Sequence, residues 1–318
     1  MNRRGSIGAG SWCLGVCLLF VVLSVAWAGD KTEAVMGDKR IVRRAVGAGK
    51  WFSADRQELC GIVTSAVNSA GVTNISGRII AGIAPHAGYQ YSGKVAGYTY
   101  RALKDNFAGN GMPDVIVVLG FCHSAGFGGV TLMDGDELET PLGKVKLDRA
   151  TGDLLVKADS RICYNYVPHN GEHSAENQIP FLQIAVPNVP LVVGLIGDHD
   201  AQTLSGLASA LKALSEKKKI CVIASTDLLH DPDYDLVTKT DKGTLKLIER
   251  LDHKALALGW GYRRQTCCGI APVLTVMMLA ELSGVKKADV LYYRNSGDDY
   301  PESRGSWVVG YGAVVFAR

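Results

Sequence analysis

An α/β fold is what a recurring unit of this sequence predicts: an apolar, strand-like run that stops at a loop carrying histidine and gives way to helical spacing. Ile79, Ile80, Ile83 and Ala84 run into Pro85 and His86; residues 115–119 run into Gly120-Phe121-Cys122-His123; residues 220–224 run into Ser225-Thr226-Asp227-Leu228-Leu229-His230. Amphipathic, helix-like segments alternate with these runs. In open α/β sheets helices cover both faces, and the loops leaving the carboxyl ends of the strands form the binding crevice. A mainly parallel sheet would therefore deliver imidazole, imidazole, and carboxylate plus imidazole to one edge of a single large domain.

The start of the chain is of another kind. Residues 1–28 hold Arg3 and Arg4, an apolar segment over about 12–25, and then Ala26-Trp27-Ala28. A basic start, a short apolar middle and small residues at A-x-A spacing predict a secretory signal peptide cut after Ala28. The apolar run is shorter than the ~20 residues of a spanning helix, so the mature chain is expected in the periplasm or outside the cell without a stable membrane anchor. Neither Cys13 nor Cys17 stands at the cleavage point, which argues against a lipid-modified cysteine. Losing Arg3 and Arg4 takes the formal charge of +3 down by two, to +1, a surface with no general affinity for nucleic acid. Residues 29–49 are polar and irregular and read as a mobile arm leading into Lys50-Trp51-Phe52.

From there the elements follow in order. Asp55 and Glu58 stand as in a capping box before Leu59, Ile62, Val63, Ala66 and Val67 at helical spacing. The strand ending at His86 comes next, then a helix from Ser92 that Gly109 to Pro113 ends. The strand 115–119, a short edge strand at 130–133, a turn at Thr140-Pro141-Leu142-Gly143 and a surface helix at 149–157 lead to an irregular stretch, 164–170. Pro180 marks a helix beginning or bending, 191–196 is a buried strand, and 201–216 a helix closed by Lys217-Lys218-Lys219. After the third histidine-bearing strand the pattern predicts one long helix over 241–258, another over 270–282 with Pro272 in its first turn, and final strands at 290–293 and 307–316.

Chemistry points to the strand ends. Of seven histidines, His253 lies among charges on an amphipathic helix and reads as a surface residue; His199 and His169 sit in irregular stretches and read as structural or surface groups. His86, His123 and His230 each follow an apolar strand, and three such histidines at one sheet edge make a functional cluster. Neutral imidazoles with a thiolate or carboxylate suit Fe, Cu or Zn better than Mg or Ca, and Asp227 could ligate or orient a ligand. Cys268 stands where a helix begins, where free N–H groups and the dipole favour a thiolate; its neighbour Cys267 leaves a vicinal disulfide or plain packing as rival readings. The other cysteines of the mature chain, Cys60, Cys122, Cys163 and Cys221, match no small disulfide scaffold, and a core of this length needs no such staples. Cys60 and Cys221 read as inert packing. No H-E-x-x-H pair is present, which disfavours a metalloprotease.

Taken together, Pro85-His86-Ala87-Gly88-Tyr89, Leu119-Gly120 with His123, Glu172-His173-Ser174, Ser225-Thr226-Asp227 with His230, and Cys268-Gly269 resemble, in order and spacing, the Memo family, whose prokaryotic members are called AmmeMemoRadiSam system protein B. The resemblance runs from Trp51 nearly to the C-terminus. It implies a single three-layer α/β/α domain over residues 50–318, related to LigB-type class III extradiol dioxygenases with non-haem Fe(II). It also implies a metal, Fe(II) first and Cu or Zn next, held by His86, His123 and Cys268. Asp227 and His230 would complete a catalytic pocket, with His173 a further family histidine beside them, and Trp51 and Tyr91 would line a mouth for a small-molecule or peptide ligand. Two departures stand out: Phe121-Cys122-His123-Ser124 replaces the Pro-Ser-His-His of many relatives, and a cysteine stands where LigB-type dioxygenases use glutamate. The function expected is a metal-dependent redox or dioxygenase-like enzyme; a non-catalytic peptide-binding or metal-chelating module would use the same pocket.

Overall fold

Residues 40–124, 126–261 and 266–318 are described by the computed structural model; the signal-peptide reading and most of the arm lie outside them. The chain runs β1 (Val42–Arg44), α1 (Arg56–Ser69), β2 (Ile79–Ala84), α2 (Tyr89–Asn110), β3 (Val115–Phe121), β4 (Val130–Leu132), β5 (Glu137–Thr140) and β6 (Gly143–Lys146). It continues with α3 (Arg149–Ala158), β7 (Ile162–Tyr164), α4 (Ile179–Ala185), β8 (Leu191–Ile196), α5 (Ala201–Ser215), β9 (Ile220–Ser225) and β10 (His230–Asp231). It ends with α6 (Tyr234–Glu249), α7 (His253–Gly259), α8 (Ile270–Leu282), β11 (Asp289–Asn295), α9 (Ser296–Asp299) and β12 (Val308–Ala317).

The main sheet is ordered β12-β2-β9-β3-β8-β4-β7, with β10 and β11 also paired to β12. Its centre, β2-β9-β3-β8, is parallel; β12 and β4 join it antiparallel. Side chains alternate along a strand, and the two faces feed two cores. Val115, Val117 and Leu119 pack with Leu207, Leu211, Val273 and Met277 of α5 and α8. Ile116 and Val118 pack with Leu59, Val63, Tyr100, Leu103 and Phe181 of α1, α2 and α4. Helices on both faces of a mostly parallel sheet give the three-layer α/β/α arrangement. Among the described residues, no helix is long and apolar enough to cross a membrane.

Several local readings need correction. The last part of the arm is built into the fold: β1 pairs in parallel with β5, which pairs with β6, in a separate three-stranded sheet. Short strands rich in charge, such as Glu137–Thr140 and Gly143–Lys146, carry no apolar run to announce them. The helix expected over 241–258 begins earlier, at Tyr234, where the Asp233 carboxylate accepts from the backbone N–H of Asp235 and Leu236. It also breaks, because Leu251 adopts a left-handed φ of 57° between α6 and α7. Asp55 caps α1 through the N–H of Glu58, but Glu58 does not answer; its carboxylate takes the Ser53 hydroxyl instead.

One contact ties α6 to the sheet. Asp241 is buried, accepts from the Leu229 N–H at 3.0 Å and the Tyr293 hydroxyl at 2.9 Å, and lies against Gly310 so closely that a Cβ there would overlap its carboxylate. Gly310→Ala is expected to destabilise the fold by roughly 1–3 kcal/mol through overpacking. Denaturant unfolding of the two proteins checks this, and equal midpoints would mean that the Asp241 side chain moves aside freely.

Candidate metal centre

The parallel register sets Ala84 beside Ser225 and Leu119 beside Ala224, so the loops after β2, β3 and β9 leave the sheet at one level. The site forms there. One ligand atom each from His86, His123 and Cys268 lie within 4.8 Å of one another, and the same holds for Asp227, His230 and Cys268 and for His123, Glu172 and His173. Cys268 Sγ is 3.3 Å from His86 Nε2. His86, His123, His173, Asp227 and His230 border a cavity of about 760 Å³ that Trp51 and Tyr91 also line, a size suited to a small molecule or a peptide side chain.

Hydrogen bonds across the crevice hold these loops. Asp227 Oδ1 accepts from the N–H of His86 at 2.8 Å and of Ala87 at 3.2 Å, while Asn177 Nδ2 donates to the His86 carbonyl at 2.6 Å. His123 is held by Glu172, whose carboxylate takes its backbone N–H at 2.6 Å and faces its Nδ1 at 2.9 Å. The N–H groups of His173 and Ser174 donate to the same carboxylate at 2.8 and 2.7 Å. Burial would raise the Glu172 carboxyl, but the bonds from His123 and the backbone overcome it and bring it down to about 2. A carboxylate only accepts, so His123 Nδ1 carries the proton and Nε2 is left as a free donor atom, the arrangement of a carboxylate-backed metal ligand. Gly120 permits this approach, since a Cβ there would strike Ser174 Oγ and the Ala175 nitrogen.

The remaining expected residues fall around this centre. His173 lies flat between Trp51, at a ring separation of 3.8 Å, and His123, at 4.7 Å. Burial and then the nearby His86 push its imidazole down to about 3. Burial likewise brings His86 to about 3, with His123 adding to the effect, so both rings are neutral at ordinary pH. Burial lowers His230 and raises Asp227. Asp227 Oδ2 stands 4.0 Å from His86 Nε2, and His230 Nε2 is buried with no hydrogen-bond partner among the described residues. Tyr91 is on the rim, 41% exposed and edge-on to Tyr300 at 5.1 Å. Trp307, 56% exposed and edge-on to His230 at 6.0 Å, is a rim residue that its place at the start of a strand concealed.

Cys268 differs from expectation. It precedes α8 by two residues, and burial, reinforced by Asp227, raises its thiol well above the usual range; the helix start does not by itself yield a thiolate. Support comes from the Asp227 N–H, 3.3 Å from Sγ, and from the Thr226 hydroxyl at 3.8 Å, which do not offset burial. A cation among these donors would supply the missing stabilisation, and two free imidazole nitrogens beside a thiol match a transition metal of intermediate softness. Cys267 turns the other way, fully buried in the hydrophobic core, and both cysteines are free thiols.

The other histidines have structural surroundings. His169 is buried with Nε2 3.1 Å from the Thr131 carbonyl, His199 packs on Trp260 at 4.3 Å, and His253 pairs with Glu281. Glu172, the partner of His123, went unassigned because 49 residues separate the two in sequence; its only signal was its place beside His173 in the motif.

Comparison with known proteins agrees with this arrangement. A MEMO1 family protein of Methanobrevibacter smithii is 34% identical over 234 residues, 73% of this chain and 81% of that one. MEMO1 family proteins of Pyrobaculum aerophilum and Methanopyrus kandleri are each 32% identical over 287 residues, covering 87% and 85% of this chain and 99% and 97% of theirs. The model of the Memo-like protein family matches residues 43–315, which take in nearly all of the main sheet and all of the convergent donors, and the chain belongs to that family.

Proposed function

We propose that this chain is a metal-dependent redox protein, dioxygenase-like in its pocket, that holds one Fe(II), or alternatively Cu, on His86, His123 and Cys268; Zn suits the same donors but has no redox chemistry and would belong to a chelating module. The observation that carries the reading is the convergence of these three donor atoms within 4.8 Å, two of them, on His86 and His123, from residues that line an open cavity. Held by these residues, an iron or copper ion would supply redox chemistry of the kind used on small-molecule substrates. The protein's own part is positional. Glu172 orients His123, the Asp227 carboxylate holds the backbone of His86 and Ala87, and Asp227 and His230 border the cavity as groups able to exchange a proton with a bound ligand. The stack of Trp51, His173 and His123 walls one side against water. The test is metal analysis of the purified mature protein followed by oxygen uptake with candidate catechols: bound metal with uptake supports the enzyme, and absence of any stoichiometric metal overturns the reading.

A non-catalytic module that captures a peptide or chelates metal is the second reading, favoured by the exposed aromatic rim of Tyr91 and Trp307, which a metal centre alone does not require. Metal without oxygen uptake, together with peptide binding weakened about tenfold or more by Trp51→Ala, would favour it; a ring buried on one face contributes roughly 1.5–3 kcal/mol. We also propose that the mature chain starts at Gly29 and is exported, on the strength of Ala26-Trp27-Ala28 behind a short apolar run. Intact mass of the protein from fractionated cells decides this, and a full-length species in the membrane fraction would overturn it.

A further inference from the structure

His86 is backed differently from His123. Its Nδ1 meets no carboxylate but the hydroxyl of Ser225, at 3.0 Å, and that hydroxyl belongs to a buried chain of neutral groups. Gln178 Nε2 approaches Ser225 Oγ at 2.7 Å and the Pro85 carbonyl at 3.0 Å. The Tyr100 hydroxyl approaches Gln178 Oε1 at 2.7 Å. Ser225 Oγ also contacts the Ser174 carbonyl. Tyr100, Gln178, Ser225 and His86 are all buried, so water does not complete any of these bonds.

The donors can be assigned by elimination. The Pro85 and Ser174 carbonyls only accept. The Gln178 atom facing Pro85 must therefore be the nitrogen, which directs its second hydrogen at Ser225 Oγ and leaves Oε1 to accept from Tyr100. A hydroxyl has one hydrogen and two lone pairs. That of Ser225 gives its hydrogen to the Ser174 carbonyl and one lone pair to Gln178. What remains for His86 is a single lone pair, and only a protonated Nδ1 can use it.

We infer that Ser225 is a positioning residue: with its hydrogen held by the Ser174 carbonyl, its buried hydroxyl can only accept from His86, which fixes the tautomer with hydrogen on Nδ1 and presents the Nε2 lone pair to Cys268 and the cavity. This rests on the metal-centre reading for its purpose but not for its test, because the tautomer is a property of the protein without metal. It also gives the two ligand histidines unequal character. His123 is backed by an anion and His86 by a neutral hydroxyl, so the centre carries one carboxylate fewer than two carboxylate-backed histidines would bring, beside a thiol that already needs a cation.

The experiment is nitrogen-15 imidazole NMR on the metal-free protein, with the His86 signals assigned by comparison with His86→Asn, followed by chelator competition for Fe(II) and Zn(II). The expected result is a Nδ1-protonated His86 in the wild type, loss of that uniform state in Ser225→Ala with metal affinity lowered about 10–100-fold, and restoration of both by Ser225→Thr. Should Ser225→Ala fail to fold, Ser225→Cys serves: a thiol is a weak acceptor that no longer favours hydrogen on Nδ1, so a mixed tautomer population is expected. A wild-type His86 protonated on Nε2, or variants that keep the pure Nδ1 form, would overturn the inference. A Nδ1-protonated His86 in a protein that binds no metal would sink the proposed function and leave the inference standing.

Discussion

Alanine at His86, His123 or Cys268 is expected to abolish stoichiometric metal binding while the protein stays folded. Each residue offers one atom to the same small volume, so removing one leaves two donors, too few for a tight site of this type. The loss should exceed the ~10–100-fold that an orienting partner is worth, which is the range expected for Glu172→Gln. The fold should survive, since the donors stand on loops beyond the strand ends and not in either core. Cys267→Ala supplies the contrast. That side chain is buried in the core, and its truncation should cost roughly 1 kcal/mol of stability and leave metal content unchanged. Inductively coupled plasma analysis with thermal unfolding reads both quantities, and full metal content in all three ligand variants would place the ligands elsewhere.

The strand-end histidines were legible because a buried parallel strand is a continuous apolar run, and the residue that follows it has a predictable place at the sheet edge. His86, His123 and the Asp227–His230 pair were located that way. What holds them was not legible. Glu172 reaches His123 and Gln178 reaches Ser225 across 49 and 47 residues, and contacts of that kind leave no periodic trace. Cys268 stands beside His86, where its sequence position puts it; its place near a helix start suggests a thiolate, whereas burial beside Asp227 raises the thiol. Element ends erred for local reasons. The break at Leu251 requires a left-handed backbone that a leucine does not advertise, and the strand at Val42–Arg44 depends on a distant partner, Glu137–Thr140, to exist at all.

A second large effect is expected from Glu176, which docks the chain leading to Trp51. Its Oε2 accepts from the Val46 N–H at 2.6 Å, and its Oε1 is buried with no partner among the described residues. Burial raises this carboxyl to about 8; the Val46 and Gly47 N–H groups pull the other way, and the nearby Glu172 adds a like charge that pushes it up further. Tyr166 is the other titratable neighbour, its phenol raised by burial and then by Glu176. In the unfolded chain a glutamate titrates near 4.3. Between there and about 8 the folded protein holds a proton that the unfolded chain has lost, so stability falls as pH rises across that window and levels off above it. The loss between pH 5 and 9 is expected to be about 2–4 kcal/mol, from a shift of a few units at 1.36 kcal/mol each. Glu176→Gln should remove that part of the slope and be the more stable protein at pH 9, because its side chain accepts from Val46 without a charge to bury. Asp241, raised by burial to about 7, contributes the same background to both proteins and cancels in the difference. Denaturant unfolding of wild type and variant at several pH values between 5 and 9 measures the effect, and parallel curves would mean that Glu176 is ionised in the fold throughout.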